Sequence, residues 1–271
     1  MDRIAACIAS GTPDPLDLIL ACAARAALHA GGIIRGLYGK PHQIRHKGVI
    51  DLVTEADLAS EKAILDLVGE HFPGIAVMAE ESSSAYQATM NGEYWVIDPL
   101  DGTTNFAHGF PYFGVSIAYV VDGLPLAGVI YCPLQDELFA ACRGKGAWLN
   151  GARITVSATA DLQHSLVATG FPYDVHGTLE QVINTMQRVL PQVQDLRRAG
   201  AAALDLAYVA CGRLDGFWEM HLKPWDTAAG AVLVREAGGR LTDFAGNAFS
   251  PFRPEVVASN GLIHGQLVAV L

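Results

Sequence analysis

The feature that most constrains this chain is an apolar strand that runs into two acidic residues, within residues 95–106 (WVIDPLDGTTNF). Asp98 and Asp101 lie three positions apart, with Pro99 between them. Proline fixes φ and has no amide proton, so we expect the strand to end at Pro99 and both carboxylates to converge beside the sheet. A Gly-Thr-Thr segment follows, typical of a turn or helix start whose N–H groups can bind phosphate.

This combination predicts a metal and phosphate site. Mg²⁺ is usually held by one or two carboxylates together with the phosphate of a substrate. The alternative is that Asp98 and Asp101 are only turn and cap residues at the end of a strand. The pair of acids alone favours that alternative, whereas the whole run favours the site.

Three further acidic segments have structural explanations of their own. They are centred on Asp51, Glu80 and Asp226. Thr54 and Asp57 form a capping-box-like pattern just after the first, and Asp226 precedes a helical pattern, where it fits an N-cap. The Glu80 segment gains functional weight only if its carboxylate points at the same metal as Asp98. The Asp51 segment alone indicates no function, and for Asp226 in isolation the cap is the favoured explanation.

The first half of the chain is predicted to combine helices with an antiparallel sheet. One helix is expected at about residues 15–38, and a second begins after Thr54 and ends at Pro73-Gly74. Strand-like segments flank the turn signals Asp122-Gly123 and Gly144-Lys145-Gly146, which indicates two hairpins.

In the second half, strands and helices alternate, which favours an α/β layer arrangement. Strands are predicted at 165–169, 194–197, 217–220 and 240–244, and helices at 179–190, 202–211 and 227–237. No linker divides the chain. We therefore predict a single catalytic unit over 1–271, in two tightly packed lobes of about 1–160 (α+β) and about 161–271 (α/β).

Composition excludes some partners and suggests a compartment. The net charge of −10 argues against direct binding to nucleic acid or an anionic membrane, which needs excess Lys and Arg. The five cysteines are scattered without metal-ligand spacing, as expected for free thiols in a reducing, cytoplasmic compartment. Residues 16–34 are apolar but include Asp17 and Arg25, which favours an amphipathic or buried helix over a signal peptide or membrane span.

Taken together, four segments resemble the inositol monophosphatase family of metal-dependent sugar phosphatases. They are 51–57 (DLVTEAD), 79–82 (AEES), 95–106, and 223–230 (KPWDTAAG). The likeness spans nearly the whole chain, and the wording of 197–200 (RRAG) and 222–226 (LKPWD) is similar to the bacterial branch.

The resemblance implies a layered αβαβα sandwich, a homodimer, two or three Mg²⁺ ions and inhibition by Li⁺. It implies a first metal surrounded by Glu80, Asp98, the Leu100 carbonyl and Thr103, and a second held by Asp98, Asp101 and Asp226. It also implies that Asp51 hydrogen-bonds Thr103, and that this pair or Glu80 orients the attacking water and accepts its proton.

The same resemblance places the substrate. The amides of Gly102 and Thr103 would bind the phosphate, and the alcohol would face Gly200, Ala202, Glu219 and Asp226. Lys223, with Arg197 and Arg198, is either a rim that attracts a phosphate ester or ordinary surface charge. Lys223 and Ala201–Ala202 depart from animal members on the leaving-group side, so the identity of the alcohol stays open.

The leading hypothesis is Mg²⁺-dependent hydrolysis of myo-inositol monophosphate to myo-inositol and phosphate by a metal-activated water. The same chemistry could act on fructose 1,6-bisphosphate, histidinol phosphate or a 3′,5′-bisphosphate nucleotide. A different class of function is a regulatory protein that binds the transcription machinery, as some bacterial relatives do. The presence of every expected metal carboxylate argues against a purely non-catalytic role.

Overall fold

The computed structural model describes residues 14–40, 44–46, 52–82 and 91–271. Seven α-helices lie within these residues: α1 (Pro15–Leu37), α2 (Glu55–His71), α3 (Thr103–Ala107), α4 (Val175–Val189), α5 (Ala202–Ala210), α6 (Pro224–Glu236) and α7 (His264–Val270). The strands in the first half are β1 (Ile44–His46), β2 (Leu52–Thr54), β3 (Ala76–Ala79), β4 (Glu93–Asp101), β5 (Gly114–Val121), β6 (Leu124–Cys132), β7 (Glu137–Cys142), β8 (Gly146–Leu149) and β9 (Ala152–Ile154). Those in the second half are β10 (Leu166–Thr169), β11 (Asp195–Arg197), β12 (Gly216–Met220), β13 (Arg240–Thr242) and β14 (Glu255–Ser259).

Two large sheets organise these elements. The first has seven strands in the order β3-β4-β5-β6-β7-β8-β9, and the second has five in the order β11-β10-β12-β14-β13. In the second sheet, β10 pairs in parallel with β11 and β12, whereas β14 is antiparallel to β12 and β13. Strands β1 and β2 form a separate antiparallel pair.

Helices cover both faces of each sheet. Helices α1 and α2 pack on one face of the seven-stranded sheet, and α5 and α6 pack on its other face. Helix α5 also contacts β10, β12 and β14, so α5 and α6 lie between the two sheets. Helices α4 and α7 cover the outer face of the five-stranded sheet around Val167, Trp218 and Val257. The predicted αβαβα layering is confirmed.

Helix α1 belongs to the core. It is long and apolar enough to cross a membrane by length and composition alone, but 61% of its most apolar window is buried inside the protein. It packs against α2 and strands β5, β6 and β7. Gly31 lies so close to the Tyr131 ring that a Cβ would not fit there. These contacts confirm the prediction of a buried helix.

The expectation that the strand ends at Pro99 was wrong. Strand β4 continues to Asp101, with Asp98 paired to Ser116 and Asp101 paired to Gly114 across a register shift. Pro99 falls inside this irregularity. Because the pairing between the strands is interrupted there, the N–H that proline lacks is not needed for a hydrogen bond. Both acids therefore belong to the strand, and the bulge between them changes the direction of their side chains.

The expected N-cap role of Asp226 was also wrong. Helix α6 begins at Pro224 with Lys223 as its N-cap, so Asp226 occupies the third helical position. Proline is favoured in the first turn of a helix because the N–H it lacks would have no partner there.

The first-half sheet is antiparallel as predicted, except at one edge. Strands β3 and β4 run parallel, and the remaining neighbours are antiparallel. Both predicted hairpins are present, β5–β6 and β7–β8. Sequence patterns did not indicate β9, β14 or α7, which are three to seven residues long.

Candidate active site

The site lies at the carboxyl ends of β3 and β4. Because these strands are parallel, with Ala79 opposite Ile97, the residues that follow each of them meet at one edge of the sheet. The amide of Glu80 donates to the carbonyl of Ile97 at 3.2 Å, which places Glu80 beside Asp98. Glu80 and Asp98 are thus brought together by strand pairing.

Helix α6 brings the next acid to the same place. Ser116, which pairs with Asp98 across the sheet, donates its hydroxyl proton to the Trp225 carbonyl at 3.1 Å. This bond fixes the first turn of α6 against β5. Asp226, the next residue, therefore faces the end of β4.

The electrostatics show that these carboxylates share one region. Asp98 is buried, and its pKa is raised well above the ordinary value, first by burial and then by the charges of Glu80, Asp101 and Asp226. The pKa of Asp101 is raised for the same reasons, with burial first and Asp226 next. Buried like charges at this density favour either protonation or a bound cation.

Backbone amides hold the individual carboxylates. Asp98 accepts from the Leu100 amide at 3.0 Å, Asp101 from the Ala203 amide at 2.7 Å, and Asp226 from the Lys223 amide at 2.6 Å. Within the described part of the chain, no three Asp, Glu, His or Cys side chains form a ready-made metal cluster. The donor set is nonetheless all oxygen, which fits a hard divalent cation such as Mg²⁺ and not a thiolate- or imidazole-seeking metal.

The carboxylate that hydrogen-bonds Thr103 is Asp57. The Thr103 hydroxyl lies 2.8 Å from Asp57 Oδ1 and 3.1 Å from the Leu100 carbonyl. Asp51, the partner expected for Thr103, lies outside the described residues.

The sequence did not indicate a functional role for Asp57, because its pattern is fully explained by helix capping. Its Oδ2 accepts from the amide and hydroxyl of Thr54 at 2.8 and 2.6 Å, which closes the predicted capping box of α2. Its other oxygen remains available to Thr103. Burial raises the pKa of Asp57, although both threonines oppose that shift. The sequence feature that could have indicated a site role for Asp57 is its position in the same DLVTEAD segment as Asp51.

The start of α3 provides donors for an anion. Gly102 has a φ of +91°, and a Cβ there would lie 3.0 Å from the Tyr112 carbonyl, so only glycine fits without strain. The first N–H groups of any helix lack an acceptor within the helix. The amides of Gly102 and Thr103 therefore lie at the start of α3, which spans only five residues and contributes little dipole.

The predicted leaving-group side lies next to Asp101. Asn105 donates to the carbonyls of Tyr112 at 2.7 Å and Ala199 at 2.9 Å, which ties α3 to the loop before α5. The Asp101–Ala203 bond fixes the first turn of α5 to the end of β4. Gly200 and Ala202 thus lie next to the end of β4.

Glu219 and a previously unnoticed acid, Asp205, complete this side. The Glu219 carboxylate lies against Gly170, which leaves no room for a Cβ at that position. Its pKa is raised well above the ordinary value by burial and then by the charges of Asp226 and Asp205. Asp205 is buried and accepts from the Tyr112 hydroxyl at 2.8 Å, and burial raises its pKa to about 7. Its only signal in the sequence was an acid within an otherwise apolar helix.

The three basic residues of the expected rim have different surroundings. Arg197 is exposed and paired with Asp195 at 2.7 Å. The Arg198 guanidinium lies 5.0 Å from the centre of the Phe171 ring, and its charge opposes the rise in the pKa of Glu219. Lys223 is exposed, and its backbone amide donates a hydrogen bond to the Asp226 carboxylate. The electrostatic influence on the leaving-group side therefore comes from Arg198.

Comparisons with known proteins agree over most of the chain. A family model described as the inositol monophosphatase family matches residues 16–271. The chain is 45% identical over 261 residues to an inositol-1-monophosphatase from Synechocystis, covering 96% of this chain and 91% of that protein. It is 44% identical over 244 residues to Nus factor SuhB of Escherichia coli K12, covering 89% and 91%. A solved structure of an inositol monophosphatase from Anabaena superposes with a TM-score of 0.85 at 41% identity, covering 95% and 96%.

The crowding of carboxylates leads to a stability prediction for Asp98→Asn. Asparagine keeps an oxygen for the Leu100 amide but removes the repulsion from Glu80 and its neighbours. We expect the variant to have a higher Tm than the wild type at neutral pH in EDTA. A relief of about 1 kcal/mol would raise the Tm by about 2–4 °C in a chain of this size.

Differential scanning calorimetry measures this difference. Asp66→Asn is the matched control, because Asp66 is exposed and pairs with Lys62 one helical turn away. Its Tm should stay close to that of the wild type. A Tm of Asp98→Asn at or below the wild-type value in EDTA would show that the cluster is not destabilising.

Proposed function

The chain belongs to the inositol monophosphatase family of phosphoric monoester hydrolases, and from this premise we propose that it hydrolyses myo-inositol monophosphate to myo-inositol and phosphate with Mg²⁺. The observation that carries the proposal is the group of carboxylates at the ends of β3 and β4, with Asp98 and Asp101 buried, directly beside the start of α3. This arrangement joins a cation site to a phosphate site.

Four carboxylates would hold the metal ions. Glu80, Asp98, Asp101 and Asp226 provide the charge, and the Leu100 carbonyl and the Thr103 hydroxyl provide neutral oxygens. When bound, two or three Mg²⁺ would neutralise the phosphate and activate a water molecule, and we expect Li⁺ to inhibit. A homodimer and a cytoplasmic location stay predictions.

The Asp57–Thr103 pair would orient the attacking water. Because the Thr103 hydroxyl donates its proton to Asp57, its lone pairs remain free to accept a hydrogen bond from the water. Asp57 is buried, and its raised pKa suits a carboxylate that accepts a proton during the reaction. The amides of Gly102 and Thr103 would hold the phosphate oxygens meanwhile.

The leaving alcohol would be held by acceptors. Glu219 and Asp226 can each accept hydrogen bonds from polyol hydroxyls, and the small residues Gly200 and Ala202 would face the ring. The charge of Arg198 opposes the rise in the pKa of Glu219 and so partly offsets the negative charge of these acids.

A phosphate-release assay with Mg²⁺ tests the substrate. Inositol 1-phosphate is compared with fructose 1,6-bisphosphate, histidinol phosphate and adenosine 3′,5′-bisphosphate, with Asp98→Asn as the inactive control. We expect inositol 1-phosphate to have the highest kcat/KM and Asp98→Asn to abolish its turnover. A kcat/KM for inositol 1-phosphate more than about a hundredfold below that of another substrate, or ~2.7 kcal/mol, would refute this choice.

The role of the Thr103 hydroxyl is tested by Thr103→Val, which keeps the shape and removes the bond to Asp57. We expect kcat to fall by about a hundredfold or more, with KM and the circular dichroism spectrum little changed. Thr104→Val is the control, since Thr104 is exposed and adjacent, and its kcat should be unaffected. An unfolded Thr103→Val protein would instead assign the hydroxyl a structural role.

A second candidate function is binding to the transcription machinery. It is favoured by the 44% identity to a relative named Nus factor SuhB. We expect a partner of this kind to be retained by Asp98→Asn in a pull-down with transcription proteins, because that substitution changes only a buried carboxylate. Equal absence of such proteins from wild-type and variant samples would count against this function.

A further inference from the structure

We propose that Arg143 and Arg235 form a second anion site, away from the active site, that binds the phosphate group of a small molecule. The two arginines line a cavity of about 240 Å³ together with Leu124, Pro125, Val232 and Glu236. Its walls come from the start of β6, the turn after β7 and the last turns of α6. No residue assigned to catalysis takes part.

Arg235 is held in position by its surroundings. Its guanidinium lies 5.8 Å from the centre of the Phe249 ring, and Nη2 donates to the Phe249 carbonyl at 3.4 Å. Burial, and next the charge of Arg143, lowers the pKa of Arg235. The carboxyl end of a helix attracts one cation, which accounts for Arg235 in the last turn of α6. It does not account for a second cation on the facing turn.

The carboxylate in this cavity is already engaged. Glu236 accepts from the Gly144 amide at 2.9 Å with one oxygen and from the Gly146 amide at 2.8 Å with the other. The neighbouring Lys145 is paired with Asp14 and Asp17, each at 2.6 Å. Within the described ranges, neither Arg143 nor Arg235 has an ion pair. The two guanidinium groups thus share one cavity with the Glu236 carboxylate, whose two oxygens are hydrogen-bonded to backbone amides.

These features specify the chemistry of the ligand. Guanidinium groups bind phosphate through paired, charge-assisted hydrogen bonds, and two of them match a doubly charged anion. The cavity is smaller than the ~300–1,000 Å³ of typical small-molecule pockets, so it fits phosphate or a small phosphate ester. The apolar contacts of Leu124, Pro125 and Val232 leave room for a short carbon group beside the phosphate.

The site can be measured separately from the active site. Asp226 and Arg235 lie on the same helix, nine residues apart, which corresponds to about 14 Å along its axis. In EDTA, the carboxylates of the active site repel phosphate, whereas the arginines still attract it. Binding observed without divalent cations therefore reports on the arginines.

Isothermal titration calorimetry of the full chain in EDTA with inorganic phosphate tests the proposal. We expect saturable binding to the wild type, weakened about tenfold or more by either Arg143→Gln or Arg235→Gln. Arg35→Gln is the matched control, because Arg35 is also an exposed arginine in the last turn of a helix. Its affinity for phosphate should equal that of the wild type. Circular dichroism and Mg²⁺-dependent phosphatase activity establish that each variant is folded.

The second titration uses inositol 1-phosphate as the ligand, because without divalent cations we expect no hydrolysis of this compound. Tighter binding than inorganic phosphate, lost in both variants, would identify a phosphate ester as the ligand. Equal affinity would identify free phosphate. The proposal is overturned if the wild type shows no saturable binding of either compound, or if Arg35→Gln weakens binding as much as the two cavity variants do.

Discussion

Mutual repulsion among buried carboxylates is the constraint on which the rest of this structure depends. Asp98 and Asp101 are both buried at the end of β4, and the charges of neighbouring carboxylates raise the pKa of each. Such a group of acids is stable only if rigid neighbours hold every member in place. The parallel pairing of β3 with β4, the Ser116–Trp225 bond and the amide of Ala203 provide that rigidity from three directions.

Close packing between the layers brings together the elements that hold these carboxylates. Helix α6 approaches β6 so closely that a Cβ on Gly128 would lie 2.6 Å from the Ala229 carbonyl. A Cβ on Gly230 would lie 2.5 Å from the Leu206 side chain, so α5 and α6 are equally close. Larger residues at either glycine would move the helix that carries Asp226. The small residues in the central layer therefore determine the position of Asp226 in the site as well as the packing of the core.

The distribution of charge explains how an acidic protein can bind an anion. The net charge of −10 counts against polyanionic partners, yet several acids are concentrated where divalent cations would reverse the local sign. Three arginine side chains have identifiable electrostatic surroundings. Arg198 moderates the acids on the leaving-group side, whereas Arg143 and Arg235 share a cavity in which the carboxylate of Glu236 is bonded to backbone amides.

The sequence by itself determined the helices with strong caps, the two hairpins and the segments that carry the acids, because these depend on local chemistry. Turn residues, proline and apolar periodicity act within a few positions of the chain. Only the tertiary structure decided that Asp57 bonds Thr103, that Asp205 faces Tyr112 and that Pro99 falls within a bulge. Those outcomes depend on residues distant in sequence, or on the register of a neighbouring strand. A residue such as Asp57 satisfies a local rule with one oxygen, and only the fold shows what the other oxygen contacts.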